Sequence, residues 1–329
     1  MKTLIIGGTG NIARGIIKAL KSKGDEVFAF HRGKTKLAEE GVEFIKGNRD
    51  DEAALESTIK QHQFDIVIDL IGKKPAQAVS LAKVCAGNVK HVIYSSSVTT
   101  YGNEFLGKAT LPTDFQKPIS EYAKNKAESE IILFENTFEK KFDLTIMRLS
   151  NIYGYERIMP CNISFKSVAW DRILNDQPLL CSADGLSITN ITHIDDVGKA
   201  FAYASLNSNC FQKAYHVNYD KSLTWQQYYQ RIALSLEKEI SIVYVPKNII
   251  LKRGNGKYAE SLGLVTGHHQ FYDSTTTYRD IPEFQQTIKL QDGAKQVILN
   301  AHQKGRLPKW DSDSLYNQII EEFSGKEKL

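Results

Sequence analysis

Short apolar runs alternate with helix-spaced apolar stripes along the first half of the chain. Leu4–Ile6 is an apolar run that meets a glycine cluster, and Ile12, Ile16 and Leu20 follow at helical spacing. This pattern predicts a strand, a tight turn and a helix. Gly24 closes the helix, and Glu26–Phe30 predicts a second, buried strand. Val42–Ile45 is a short third strand. Asp50 and Asp51 then cap a helix through Ile59, because aspartate accepts the orphan N–H groups at that end. Phe64–Ile71 is a fourth strand, and Pro75 opens the next helix, where its missing N–H does no harm. Val89–Tyr94 is a fifth strand, and a long helix from Ser120 to about Phe138 precedes a sixth, Phe142–Met147. Near-continuous apolar strands alternating with helices indicate βαβ units and a parallel sheet covered on both faces. The expected class is α/β, doubly wound.

Past Tyr153 the rhythm loosens. Val168–Leu174 reads as a helix, Asn190–Ile194 as a strand, and Val197–Leu206 as a helix capped by Asp195 and Asp196. Ala214–Val217 returns as a strand. Trp225–Leu236 (helix), Ile240–Val245 (strand) and two helices near 291–303 and 312–323 follow. No repeat, low-complexity tract or linker is visible. The later half is expected to pack on the first as a smaller lobe, with a cleft over the carboxyl ends of the strands.

The glycine cluster reads as Gly8-x-Gly10-x-x-Ala13 or as Gly7-x-x-Gly10-x-x-Ala13, and both spell a dinucleotide-binding turn. Gly7 and Gly10 let the backbone turn and approach a pyrophosphate, Ala13 allows close helix–strand packing, and the helix N-terminus offers N–H donors. An NAD-binding second strand usually ends in an acid for the adenosine ribose. Here His31 and Arg32 stand in that place. A guanidinium suits a 2′-phosphate, so NADP(H) is favoured, with NAD(H) possible. Arg14 is either a second phosphate clamp or a solvated helix residue. Asn48, after the third strand, stands where an acid often bonds adenine, and its amide oxygen can accept that bond.

Tyr122 and Lys126 are four residues apart on the long helix and share one face. An ammonium beside a phenol lowers its pKa and suits it to acid–base work, while a serine hydroxyl can orient the reacting oxygen. Such a pair alone is a common surface arrangement. Serines follow the fifth strand, at Ser95–Ser97, and it is this ordered combination that carries weight.

With these motifs the sequence resembles the extended short-chain dehydrogenase/reductase family, in its UDP-galactose 4-epimerase-like (NAD-dependent epimerase/dehydratase) members, over about residues 2–220. The resemblance implies a Rossmann fold: residues 1–155, completed by about 188–218, as the NAD(P)-binding domain, and 156–187 with 219–329 as a substrate-binding lobe. It places the catalytic set on Ser97, Tyr122 and Lys126, with the tyrosine exchanging a proton with the substrate while hydride passes to or from the nicotinamide. It implies cofactor contacts from Gly7, Thr9, Gly10, Asn11, Ile12, His31, Arg32, Asn48, Leu70, Ile71, Gly72, Ser95, Tyr122 and Lys126, and substrate contacts from Ser97 and Asn151. Family analogy further suggests a homodimer. Ser97–Thr99 lacks the acid of the 4,6-dehydratases, so dehydration is disfavoured. The expected function is an NAD(P)-dependent oxidoreductase or epimerase acting on a secondary alcohol or ketone carbon of a nucleotide sugar or other small substrate, with a reductase slightly favoured.

The chain of 329 residues has a formal charge of +4 with the charges evenly mixed, so nothing demands nucleic acid or an anionic membrane. Cys85, Cys161, Cys181 and Cys210 form no C-x-x-C pair and read as reduced and structural, in a cytoplasmic setting. No metal site is expected: His268 and His269 read as an exposed loop pair. Trp170, Trp225 and Trp310 read as core residues. The alternative function is non-catalytic, because Arg32 and Gly33 also resemble stem-loop RNA-binding relatives and NmrA-like redox sensors. The intact Ser97, Tyr122 and Lys126 set argues against it.

Overall fold

Leu4, Ile5 and Ile6 have no exposed surface, because β1 (Lys2–Ile6) lies inside a seven-stranded sheet. The computed structural model describes residues 1–34, 41–137 and 142–325; Phe138, at the expected end of the long helix, lies outside the described residues. After β1 come α1 (Asn11–Ser22), β2 (Glu26–His31), β3 (Glu43–Lys46), α2 (Glu52–His62), β4 (Ile66–Asp69), α3 (Pro75–Cys85), β5 (His91–Ser97), α4 (Glu121–Thr137) and β6 (Asp143–Leu149). The sheet runs Lys213–Val217, β6, β5, β4, β1, β2, β3, and every neighbouring pair is parallel. Strand order reverses between β1 and β4, which opens a crevice at their carboxyl ends. This is a Rossmann-type α/β fold.

Alternation along β1 sorts its side chains to two cores. Ile5 packs with Ile16 and Ile17 of α1 and with Val197 and Phe201 of the helix Ile194–Ala204. Leu4 and Ile6 pack on the other face with Leu55, Leu81 and Leu133 from α2, α3 and α4. On the first face α1 and the helix Ile194–Ala204 touch backbone to backbone. A Cβ on Gly15 would lie 2.2 Å from the Ile194 carbonyl oxygen, and one on Gly198 would lie 2.1 Å from that of Gly15.

Several local expectations are met. Gly24 turns at φ +80° behind α1, and Pro75 stands in the first turn of α3. Asp51 caps α2 by accepting the Ala54 N–H at 3.0 Å, whereas Asp50 instead accepts from the Gln77 amide at 2.6 Å. Two expectations are corrected. β4 ends at Asp69 rather than Ile71, because the Asp69 carboxylate accepts the Ile71 and Gly72 N–H groups and turns the chain out of the sheet. The helix after residue 193 is capped by His193, whose Nδ1 accepts the Asp195 N–H at 3.1 Å, not by the two aspartates. Asp195 is drawn to Lys18 at 2.6 Å, and buried Asp196 accepts from the Tyr219 hydroxyl at 2.6 Å.

Trp170 and Trp225, both buried, pack with Tyr228, Tyr229 and Ile298 in a separate cluster; Trp310 is half-buried. Beside it, the strand Leu179–Ser182 pairs in parallel with Ile242–Val245. The former was not legible in the sequence, since four residues after Pro178 give too short a pattern. A π-helical segment, Ala259–Thr266, also carried no periodic signal. No helix among the described residues is long and apolar enough to cross a membrane.

His91 is fully buried on β5. Its Nδ1 accepts the Leu206 N–H at 3.1 Å, so Nε2–H donates to Thr145 at 2.9 Å. Burial pushes its pKa down to about 3. A depressed folded-state pKa means the unfolded chain takes up the proton first, so the neutral histidine's contribution is complete above the ordinary value of about 6.5 and is lost as pH falls towards 3. Between pH 7 and pH 5 this one group removes about 2 kcal/mol of stability. Denaturant titrations should show His91→Asn with a correspondingly flatter loss over that interval; an unchanged slope would contradict the assignment.

Candidate active site

The turn after β1 is built by three glycines with different tasks. Gly7 adopts φ +89° and its N–H donates to the Phe30 carbonyl at 3.0 Å. Gly8 lies against β2, where a Cβ would come 2.5 Å from that of Ala29. Gly10 heads α1, and a Cβ there would meet only the Gly7 carbonyl oxygen, at 3.6 Å, so the chain's own packing leaves this face open. With glycine at the cap, no side chain satisfies the first N–H groups of α1. Open orphan donors at the head of a twelve-residue helix fit a dinucleotide diphosphate. Thr9, Asn11 and Ile12 surround them, half-buried, and Ala13 is buried beneath.

At the end of β2, the His31 ring packs 4.0 Å from Phe44 and its Nδ1 accepts the Gly33 N–H at 3.2 Å. Burial pushes its pKa below the ordinary value. Arg32 is exposed and makes no ion pair with another described residue. Asn48 Oδ1 already accepts the Asp50 N–H at 3.3 Å, which leaves one lone pair for a ligand. The Arg14 guanidinium stacks 4.2 Å from the Tyr155 ring centroid.

Leu70–Gly72 are held by a pair that the sequence reading missed. Asp69, fully buried, binds the Ile71 and Gly72 N–H groups through one oxygen and buried Arg49 through the other, at 2.9 Å. An aspartate ending an apolar run, with an arginine in the Gly47–Asp51 turn, was the available signal. Ile71 leans over Gly7, whose Cβ would lie 2.5 Å from its Cγ2.

At the end of β5, Ser97 accepts the Thr99 N–H at 3.2 Å and the Thr99 hydroxyl at 3.0 Å. A buried network stands behind it. Glu130 takes Arg148 at 2.6 Å and the Ser96 hydroxyl, and Arg148 donates to the Tyr101 hydroxyl. His216 Nδ1–H donates to the Asp273 carbonyl at 2.8 Å, so its Nε2 accepts from Tyr101, also at 2.8 Å. Paired in this way, the buried charges fix the carboxyl ends of β5 and β6.

Lys126 is 3% exposed. Its Nζ donates to the Gly72 carbonyl at 2.6 Å, the Ser95 carbonyl at 2.5 Å and the Tyr94 hydroxyl at 3.3 Å, which uses all three hydrogens. Burial pushes its pKa down to about 8, against the pull of Asp69 and Glu130. Tyr122 keeps 44% of its surface exposed. The expected lowering of its pKa by Lys126 is not found. Burial raises it, while a hydrogen bond with Ser97 and the charge of Arg157 act the other way. Lys126 is spent on main-chain oxygens, and Arg157 is the cation that acts on the phenol.

Ile12, Leu70, Ser95, Ser97, Tyr122, Lys126 and Asn151 all line one cleft of about 1050 Å³, closed on its far side by Trp170, Arg157 and Leu264 among others. Gly7, Thr9, Gly10, Asn11, His31, Arg32, Asn48, Ile71 and Gly72 do not line it; they lie along the ends of β1–β4. Asn151 Nδ2 donates to Gln270 at 2.6 Å, so it enters the cleft already oriented. His268 departs from the exposed pair expected: it is half-buried, with its Nε2 2.7 Å from the Gly263 carbonyl oxygen and 3.1 Å from the Asn103 amide nitrogen.

The chain is similar to several known proteins. A 2′-dehydrokanamycin reductase of Streptomyces kanamyceticus is 25% identical over 287 residues, 87% of this chain and 80% of the relative. A chloroplast stem-loop binding protein of Arabidopsis thaliana is 26% identical over 241 residues, 68% of this chain and 60% of the relative. The structure of a UDP-glucose 4-epimerase from Thermotoga maritima superposes with a TM-score of 0.73 at 19% identity, covering 92% of this chain and 99% of its own. Residues 3–218 match the model of one family over more than half of the chain, and the chain therefore belongs to the NAD dependent epimerase/dehydratase family.

Proposed function

We propose that the protein is an NADP(H)-preferring oxidoreductase that reduces a ketone, or oxidises the matching secondary alcohol, on a small sugar-like substrate. The observation that carries this reading is the convergence of Ser97, Tyr122, Lys126 and Asn151 on one cleft beside an uncapped helix N-terminus. The dinucleotide, when bound, supplies or accepts the hydride. Its diphosphate would lie on the first N–H groups of α1 and its ribose near Lys126, and a 2′-phosphate would meet Arg32. Ser97 orients the reacting oxygen and Tyr122 exchanges the proton with it. A phenol held above its ordinary pKa is protonated at neutral pH and can donate to a carbonyl oxygen. The division into a cofactor domain and a substrate lobe, and a homodimer, are parts of the same reading.

The test begins with the dinucleotide. Freshly purified protein is denatured and any released nucleotide identified, and then empty protein is titrated with NADPH and NADH. An empty site preferring NADPH supports the reductase, tightly retained NAD supports an epimerase, and binding of neither leaves the non-catalytic reading. Arg32→Asp should exchange a cation for an anion at the 2′-phosphate and reverse a preference of about tenfold or more, read as the ratio of the two dissociation constants. No change in that ratio would remove Arg32 from the site.

A further inference from the structure

On the side of the cleft facing Tyr122, Arg157 is placed by the main chain rather than by a carboxylate. Its backbone exchanges two hydrogen bonds with Gly154, at 3.0 and 2.9 Å, and its Nε donates to the Ile152 carbonyl at 3.0 Å. No carboxylate of the described residues pairs with its guanidinium. The adjacent Glu156 is engaged instead by Arg306 at 3.7 Å and Lys304 at 3.9 Å. Arg306 lines the same cleft, and its Nε and one Nη are buried with no hydrogen-bond partner. Lys166 adds a third positive charge to this wall. Burial pushes the Arg157 pKa down, and the only group that restores it is the Tyr122 phenol. Arg157 has no carboxylate partner among the described residues, and Glu156 reaches Arg306 only at its other Nη, 3.7 Å away, so the buried N–H groups left over are unfavourable until something anionic meets them. The planar guanidinium fork matches the two oxygens of a carboxylate or phosphate.

We propose that Arg157 and Arg306 form an oxyanion-recognition subsite beside Tyr122, so that the substrate is an acid: a hydroxy or keto compound with a carboxylate or phosphate close to the reacting carbon. This rests on the oxidoreductase reading and narrows its substrate class. Asn151, tied to Gln270, lies on the same cleft and can hold a neutral hydroxyl of such a compound.

Three probes that differ only at one carbon, D-glucose, D-glucuronate and D-glucose 6-phosphate, are titrated by ligand-observed NMR into protein saturated with the dinucleotide it prefers. Saturation keeps the anions off the N-terminus of α1. At least one acid should bind about tenfold or more tighter than glucose, the charge-assisted bonds being the stronger class. Glucuronate alone would mark a carboxylate site, and the phosphate alone a phosphate site. Arg157→Gln and Arg306→Gln should each erase most of the difference, and Arg157→Lys, which keeps the charge but loses the fork, should retain part of it. Dinucleotide affinity of each variant checks that it is folded. Equal binding of glucose, no binding of either acid, or an acid preference that survives both glutamine variants would overturn the proposal. If the wild type binds no dinucleotide, the oxidoreductase reading falls, and the same titration on the free protein still decides the subsite.

Discussion

Tyr122→Phe is expected to lower kcat by about 10²- to 10⁴-fold, the range for loss of a positioned proton donor, while dinucleotide affinity stays unchanged. The substitution removes one oxygen and keeps the ring, so the packing of α4 on β5 is not disturbed. No neighbour can take over the proton. Lys126 has every hydrogen engaged with Gly72, Ser95 and Tyr94, and Ser97 has no ordinary acid–base range near neutrality. Steady-state rates with a turned-over substrate, beside a dinucleotide titration, make the measurement. Turnover equal to wild type would remove Tyr122 from the chemistry, and parallel loss of dinucleotide binding would make it a structural residue.

Gly198→Ala is expected to destabilise the fold by about 3 kcal/mol or more, at the upper end of overpacking changes. The new methyl would press on the Gly15 carbonyl oxygen from 2.1 Å, and the listener on the other side is backbone, not a side chain that can rotate away. Gly15→Ala meets the Ile194 carbonyl in the same crossing, so the double variant should lose less than the sum of the two. Relief of the clash requires α1 to move, and its N-terminus carries the open N–H donors. Dinucleotide affinity should therefore fall along with stability. Denaturant titration and a binding isotherm on the same samples check both, and a change below about 0.5 kcal/mol, the size of an ordinary surface substitution, would show that the helices can separate freely.

The strands β1 to β6 and their helices were legible because burial on both faces of a parallel sheet writes unbroken apolar runs, and amphipathic helices write a period of 3.6. The turn at Gly7–Ala13 and the spacing of Ser97, Tyr122 and Lys126 were equally open to view, since each is a local pattern tied to the end of an element. Side-chain roles at those positions were less so. The sequence suggests that Lys126 tunes Tyr122; in the fold it binds the Gly72 carbonyl, after β4, and two oxygens of β5 instead, and Arg157 takes the electrostatic part.

By itself, then, the sequence determined the order of elements, the doubly wound sheet and the residues gathered at its carboxyl ends, because these follow from periodicity and from glycine's backbone freedom. Tertiary structure alone decided that Gly15 meets Gly198, that Arg49 locks Asp69, that His193 rather than Asp195 caps its helix, and that Arg157 faces Tyr122. Each of these depends on distance in space, on which donors are already spent and on how much water is excluded, and none of those quantities has a period along the chain.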